Sequence, residues 1–255
     1  MRLADSHAHL SDGRFDADRD AVLQRAREAG VALILDVGYD VTSSEQAVAL
    51  AQAGEGVWAA AGVHPHDASA LDATALGRLR ELARQPRVLA IGETGLDFYR
   101  DLSPREAQRQ AFEAHLGVAA EVGKPVLVHS RETYDEVLAI LQHWKGQVGA
   151  VLHCYDGDRD MLGRALDLGL YISLAGTVTY ERDERLREIA CLVPLDRLLI
   201  ETDCPYLAPA PYRGRRNEPA YVAHVAQGVA RARGMTLEEL AEATFQNAEA
   251  FLGLA

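Results

Sequence analysis

Eight times along the chain, a short and almost wholly apolar run of β-forming residues is followed by a longer stretch with helical periodicity. The runs lie at residues 2–7, 31–38, 57–64, 88–93, 125–130, 150–154, 171–175 and 198–202. Amphipathic stretches such as DADRDAVLQRAREAG and SPREAQRQAFEAHLGVAAEVG separate them. Gly30 and Gly123 stand where C-terminal helix caps belong, and Ser103-Pro104 reads as an N-cap followed by proline at the first helical position. Strands this apolar suit a parallel sheet covered on both faces. Eight strand–helix units predict an α/β fold, a (β/α)8 barrel with short extra C-terminal helices after a helix that starts near Pro219. No linker or low-complexity tract interrupts the 255 residues, which read as one domain over 1–255.

Composition narrows the class of function. The formal net charge of −12 argues against coating duplex nucleic acid by charge, because that binding neutralises phosphate with Lys and Arg. It leaves a nuclease open, since metal ions held by acidic residues supply a local positive field. No apolar run reaches the ~18 residues of a membrane helix, and the N-terminus has no signal-peptide pattern. The cysteines, Cys154, Cys191 and Cys204, are odd in number and form no C-x-x-C pair, which predicts a reducing cytoplasm and no disulfide framework. No membrane and no obligatory protein partner are expected.

The chemistry-bearing residues fall where such a barrel puts its active site, at the C-terminal ends of the strands. His7 and His9 end the first run; residues two apart in a strand share a face. His64, Glu93, His129, His153 and Asp203 end the third, fourth, fifth, sixth and eighth runs. One strand-end histidine is most often a hydrogen-bonded structural group, and Glu93 or Asp203 alone could cap a helix. Their coincidence at one end of different strands points instead to a divalent metal site. The groups are too many for one ion, and a bridging carboxylate would let two ions ~3.5–4 Å apart share them. The residues alone therefore predict a binuclear metallohydrolase. Cys154 and Cys204 sit beside proposed ligands but face the other way along a strand, and are read as packing residues. His115, His143 and His224 lie in helical stretches and are read as surface or packing residues.

The segments DSHAHL, GVHPH, IGETGLDFYRD, KPVLVHSRE, LHCY and IETDCPYLAPAPYRGRRNEPAYV together resemble the TatD family of metal-dependent deoxyribonucleases, within the amidohydrolase superfamily, from residue 3 to about residue 251. The resemblance implies that His7, His9 and Asp203 bind one ion, that Glu93 bridges, and that His129 and His153 complete a second site. It places His64 near substrate phosphate. The family's H-C-F-[ST]-G motif reads HCYDG here, so Asp156 adds a negative charge at the mouth.

The implied activity is hydrolysis of DNA phosphodiesters by a two-metal-activated hydroxide, as a 3′-to-5′ exonuclease on single strands or strand ends, with Asp203 and Glu93 as catalytic groups. RNA or aminoacyl-tRNA are further candidate partners. Two divalent ions, Zn, Mn or Mg, are implied. His64, Arg131, Tyr155 and Arg213 are candidate substrate-binding residues, with Arg215 and Arg216 in the same loop and Tyr99 and Tyr206 as further stacking rings. The alternative is a D-aminoacyl-tRNA deacylase or other ester or amide hydrolase on the same centre.

Overall fold

The computed structural model describes residues 1–255. In chain order the elements are β1 (Leu3–Ala8), α1 (Arg19–Glu28), β2 (Val31–Val37), α2 (Val41–Ala53), β3 (Val57–Ala61), α3 (Ala73–Ala83), β4 (Val88–Asp97), α4 (Arg105–Val122) and β5 (Val126–Arg131). They continue with α5 (Tyr134–His143), β6 (Ala150–Leu152), α6 (Arg159–Asp167), β7 (Tyr171–Leu174), α7 (Glu184–Leu192), β8 (Leu198–Ile200), α8 (Val222–Arg233) and α9 (Leu237–Leu252). The strands form one sheet in the order β1 to β8. A parallel bridge from Ala8 to Cys204 joins the end of β1 to the segment after β8. This is the (β/α)8 barrel that the alternation predicts. No helix is long and apolar enough to cross a membrane.

Contacts group the chain in two compact units. The first comprises Met1–Leu35, Cys154–Arg159 and Ile172–Ala255. Its core holds Leu3, Leu10, Phe15, Ile172, Leu198 and Val225, all fully buried. Here α9 packs on β1 and β8. A reciprocal cap at Thr236 and Glu239 starts α9, and Gly253 ends it in the left-handed conformation. The helix expected near Pro219 is α8, entered through a 3-10 turn at Pro219–Tyr221, and where short extra helices are expected after it the chain forms one 16-residue helix, α9.

The second unit comprises Asp36–His153 and Asp160–Tyr171. Its centre is β4 with α4 against it. The helix buries Ala111, Phe112, His115, Leu116, Val118 and Ala119 on one face. Burial of side chains such as Phe112 and Leu116 stabilises by about 1.5–3 kcal/mol each. Gly123 closes α4 in the left-handed region as expected. The start lies one residue later than expected, with Pro104 as the capping residue. Ser103 is diverted: its hydroxyl donates to the His66 carbonyl at 2.7 Å and accepts from Ser69 N at 3.2 Å.

Strand ends differ from the sequence expectation in a way that matters for the site. β4 does not stop at Glu93 but runs on to Asp97. Its register against β5 shifts between Ile91 and Thr94, a bulge that re-aims the side chains between them. Gly92 and Gly95 permit it, with φ of +128° and +138°. A Cβ at Gly95 would stand 2.0 Å from the His129 carbonyl oxygen. β3, β6 and β8 stop earlier than expected, so His64, His153 and Asp203 stand in the loops that follow.

His115 ties α4 to the loop carrying His64. Its Nε2 accepts from Val63 N at 2.9 Å, and its Nδ1 donates to the Ala111 carbonyl at 2.6 Å. Only a neutral imidazole can do both. Burial pushes its pKa down from 6.5 to about 4, against the Ala111 bond. The folded protein therefore resists protonation, and this stability is whole above pH 6.5 and lost as pH falls through 6.5 toward 4. The expected loss is on the order of 3 kcal/mol. Denaturant unfolding of wild type and His115→Gln across pH 4–7 checks this: the variant should lack that component of the acid slope.

Candidate metal centre

In the first unit the ends of β1 and β8 are laced together. Asp203 N donates to the His7 carbonyl at 2.9 Å, and His9 N donates to the Cys204 carbonyl at 2.8 Å. This lacing brings His9 Nε2 to 3.4 Å from Asp203 Oδ1. The His7 and His9 rings meet edge-on with centroids 5.0 Å apart. His7 and His9 are buried, and Asp203 is half-buried in a left-handed backbone conformation, φ 54°. Behind them, fully buried Asp5 accepts from Thr202 N at 2.8 Å and from Thr202 Oγ1 at 2.6 Å. Burial raises the Asp5 pKa to about 8 in spite of those bonds. Asp5 was not among the expected site residues. Its signal was its place in DSHAH, two residues before His7 and on the same face of the strand.

In the second unit three imidazoles surround one carboxylate oxygen. Glu93 Oε1 lies 2.8 Å from His153 Nε2, 2.9 Å from His129 Nδ1 and 3.4 Å from His64 Nε2. Burial alone would push the Glu93 carboxyl up. Electrostatic interaction with the His153 and His64 imidazoles, with hydrogen bonds from His129 and His153, outweighs it and holds the group well below the usual range. Glu93 is thus an ionised, nearly inaccessible carboxylate.

Asp97 and His66 complete this cluster, and the sequence reading gave neither a role. Asp97 Oδ2 accepts from His129 Nε2 at 3.2 Å and from His66 Nε2 at 2.9 Å. Its Oδ1 accepts from Arg100 N at 2.7 Å, and its N–H donates to Gln108 Oε1 at 2.8 Å. Burial pushes the Asp97 carboxyl up, but hydrogen bonds from His129, Arg100 and His66 lower it further. Held this way, Asp97 fixes the plane of His129 and turns Nδ1 toward Glu93. A carboxylate on the far ring nitrogen is the arrangement that orients metal-binding histidines. The pattern GETGLD held the signal, a carboxylate four residues after Glu93 on one strand.

His64 is different. Ligand atoms of His64, Glu93 and His129 all lie within 4.8 Å of one another, close enough to share an ion. Yet His64 Nδ1 accepts from His66 N at 3.1 Å, so the neutral ring carries its proton on Nε2. Burial lowers its pKa to about 4 against the pull of Glu93, which keeps it neutral. A ring that presents N–H donates hydrogen bonds and does not ligate a cation.

The donor set fits a divalent ion: imidazole nitrogens and ionised carboxylates suit Zn²⁺ or Mn²⁺. His129 Nδ1, His153 Nε2 and Glu93 would hold it in the second unit, and His7, His9 and Asp203 in the first. Neither Cys154 nor Cys204 belongs to these groups. Burial raises the Cys204 thiol well above its ordinary value, so it stays protonated.

The other candidates separate clearly. Arg131 lies over the Tyr99 ring at 4.1 Å and Arg213 over Tyr180 at 4.4 Å; both are exposed and their guanidinium donors are uncommitted. Arg216 is committed: it binds both Asp18 oxygens at 2.8 and 2.7 Å and donates to the Arg14 carbonyl at 2.7 Å. Tyr155 departs from the expected substrate-facing role. Its ring is 1% exposed and its hydroxyl donates to the Asp158 carbonyl at 2.7 Å, so no incoming base reaches it. Glu201, also unexpected, is fully buried and accepts from Cys154 N at 2.7 Å.

Residues 4–253 match the model of a family described as TatD related DNase. A protein of Pantoea vagans (strain C9-1) named 3′-5′ ssDNA/RNA exonuclease TatD is 45% identical over 260 residues, covering 99% of this chain and 100% of the relative. A Bacillus subtilis (strain 168) protein named uncharacterized metal-dependent hydrolase YabD is 38% identical over 248 residues, covering 97% of each. Among solved structures, that of the TatD homolog YjjV from Escherichia coli K12 superposes with a TM-score of 0.94 at 30% identity, covering 100% of this chain and 99% of the other.

Asp97→Asn keeps the side chain's shape but removes the charge that orients His129. Metal affinity should fall about 10–100-fold with little change in melting temperature. Competition against a fluorescent chelator, with thermal melts in parallel, checks this. An unchanged affinity would remove Asp97 from the site.

Proposed function

Because this chain belongs to the family of TatD-related DNases, we propose that it removes nucleotides from the 3′ end of single-stranded DNA, and of RNA, by hydrolysing phosphodiester bonds at a two-metal centre. One observation carries the reading: a buried, ionised Glu93 ringed by imidazoles, with His129 held by Asp97. In this reading His7, His9 and Asp203 would hold one ion, and Glu93, His129 and His153 the other. The catalytic unit is the whole chain, 1–255. The names of the relatives favour a nuclease over the D-aminoacyl-tRNA deacylase alternative.

Divalent ions in such a centre acidify water and withdraw charge from phosphate oxygens. The chain's own residues do the rest. Asp203, half-buried beside His9, orients the attacking water and accepts its proton. His64 donates its Nε2–H to a non-bridging phosphate oxygen, the task its tautomer suits. Arg131 and Arg213, with free donors, meet phosphates further along the strand. Exposed Asp156 opposes a long anionic substrate and favours a strand end. Three free cysteines support action in the reducing cytoplasm.

The test uses metal-stripped protein with 3′-labelled and 5′-labelled single-stranded oligonucleotides, adding back Mg²⁺, Mn²⁺ or Zn²⁺. Metal-dependent shortening from the 3′ end is expected, reduced at least ~100-fold in Glu93→Gln and His153→Ala. Full activity in Glu93→Gln would sink the mechanism. Absence of cleavage with every metal, alongside turnover of D-aminoacyl-tRNA, would transfer the centre to ester hydrolysis.

A further inference from the structure

Tyr206 is a large aromatic ring left 48% exposed three residues after Asp203. Its position is not loose. Tyr206 N donates to the Asp203 carbonyl at 3.0 Å, and its own carbonyl accepts from Asn217 Nδ2 at 2.6 Å. Asn217 is fully buried. The ring meets His9 edge-on, centroids 6.2 Å apart at 79°. The guanidinium of Arg14 lies 4.3 Å from the Tyr206 ring centroid. An exposed aromatic thus stands beside two proposed metal ligands, with its backbone tied to one of them.

Arg14 is not available as a phosphate clamp. Its Nε donates to Asp12 Oδ1 and its Nη2 to Asp12 Oδ2, both at 2.9 Å, and Asp12 Oδ1 also accepts from Arg14 N at 2.8 Å. The Nε–Nη2 edge is taken by the Asp12 carboxylate, and the charge is matched within the loop. Beside that paired edge, the flat face of the guanidinium is stacked on a tyrosine. Flat π surfaces with a neutralised cation suit a nucleobase rather than a phosphate. Arg131 on Tyr99 is the converse, since its donors are free.

We propose that Tyr206 and Arg14 form a stacking platform for a nucleobase, which holds one of the two nucleosides flanking the scissile phosphate beside His9 and Asp203; the assignment rests on the exonuclease reading. Such a platform is sequence-tolerant, because every base has a π face. It sets how the terminal nucleotide is presented without adding positive charge to an acidic protein. Both residues are substrate-positioning groups.

Binding separates this from a structural role. Metal-loaded protein is titrated against a 5′-fluorescein single-stranded oligonucleotide with phosphorothioate linkages at its 3′ end, and against the same oligonucleotide with its last two residues abasic. Tyr206→Ala should weaken binding of the base-bearing strand on the order of 10- to 100-fold and leave the abasic strand's affinity unchanged. Tyr206→Trp should recover most of the loss. Arg14→Ala should weaken binding with the salt slope unchanged, whereas Arg131→Ala should lower it by about 0.7, one phosphate's share on a single strand. Equal weakening on both oligonucleotides, or none on either, overturns the platform. So does a lowered salt slope in Arg14→Ala. If wild type shows the base preference but never shortens the unmodified oligonucleotide, the platform stands and the exonuclease reading falls.

Discussion

Two backbone hydrogen bonds, from Asp203 N to the His7 carbonyl and from His9 N to the Cys204 carbonyl, serve fold and chemistry together. They join the first strand to the segment after the last, so the sheet has no free edge there. The same register brings His9 against Asp203. It is reinforced from beneath by Asp5, which takes both the N–H and the hydroxyl of Thr202. Arg14 stands in the loop after β1 and Tyr206 in the segment after β8, the two stretches these bonds bring together. A slip of one residue here would open the sheet and turn the imidazoles to the other face.

In the other unit the deciding feature is a strand that bends without breaking. Gly92 and Gly95 let β4 bulge, so Glu93 and Asp97 both stand on the one strand that borders His129. Glu93 takes one side of that imidazole and Asp97 the other. His115 holds the loop before His64, and His66 N sets the His64 tautomer. The ring nitrogens that His129 and His64 turn to Glu93 therefore have roles chosen by Asp97 and by His66 N. Dry surroundings make the choice firm, since a buried polar group without a partner costs about 1–3 kcal/mol.

The eight-fold alternation and the histidines at strand ends were legible because they follow local rules: period two in strands, 3.6 in helices, and chemistry at the C-terminal mouth. Glu93, His129 and His153 were found that way and stand together. Tyr155 and Arg216 were not separable from Tyr206 and Arg213 by sequence. All four lie near proposed ligands or in the loop after β8. Burial under neighbouring backbone removes Tyr155, and Asp18, remote in sequence, occupies Arg216. Asp97 lies beyond the strand end that the apolar pattern predicts at Glu93; in the structure β4 continues through a bulge to reach it.

The sequence by itself determined the barrel, its strand order and the residue types that converge on a cation, since these depend on periodicity and composition along the chain. Tertiary structure decided which nitrogen of His129 and of His64 faces Glu93, which arginines keep free donors and which tyrosines stay exposed. Those outcomes depend on partners tens to hundreds of residues away, such as Asp97 for His129 and Asp18 for Arg216. Such partners are set by angles and distances of a few ångströms, and no local pattern encodes them.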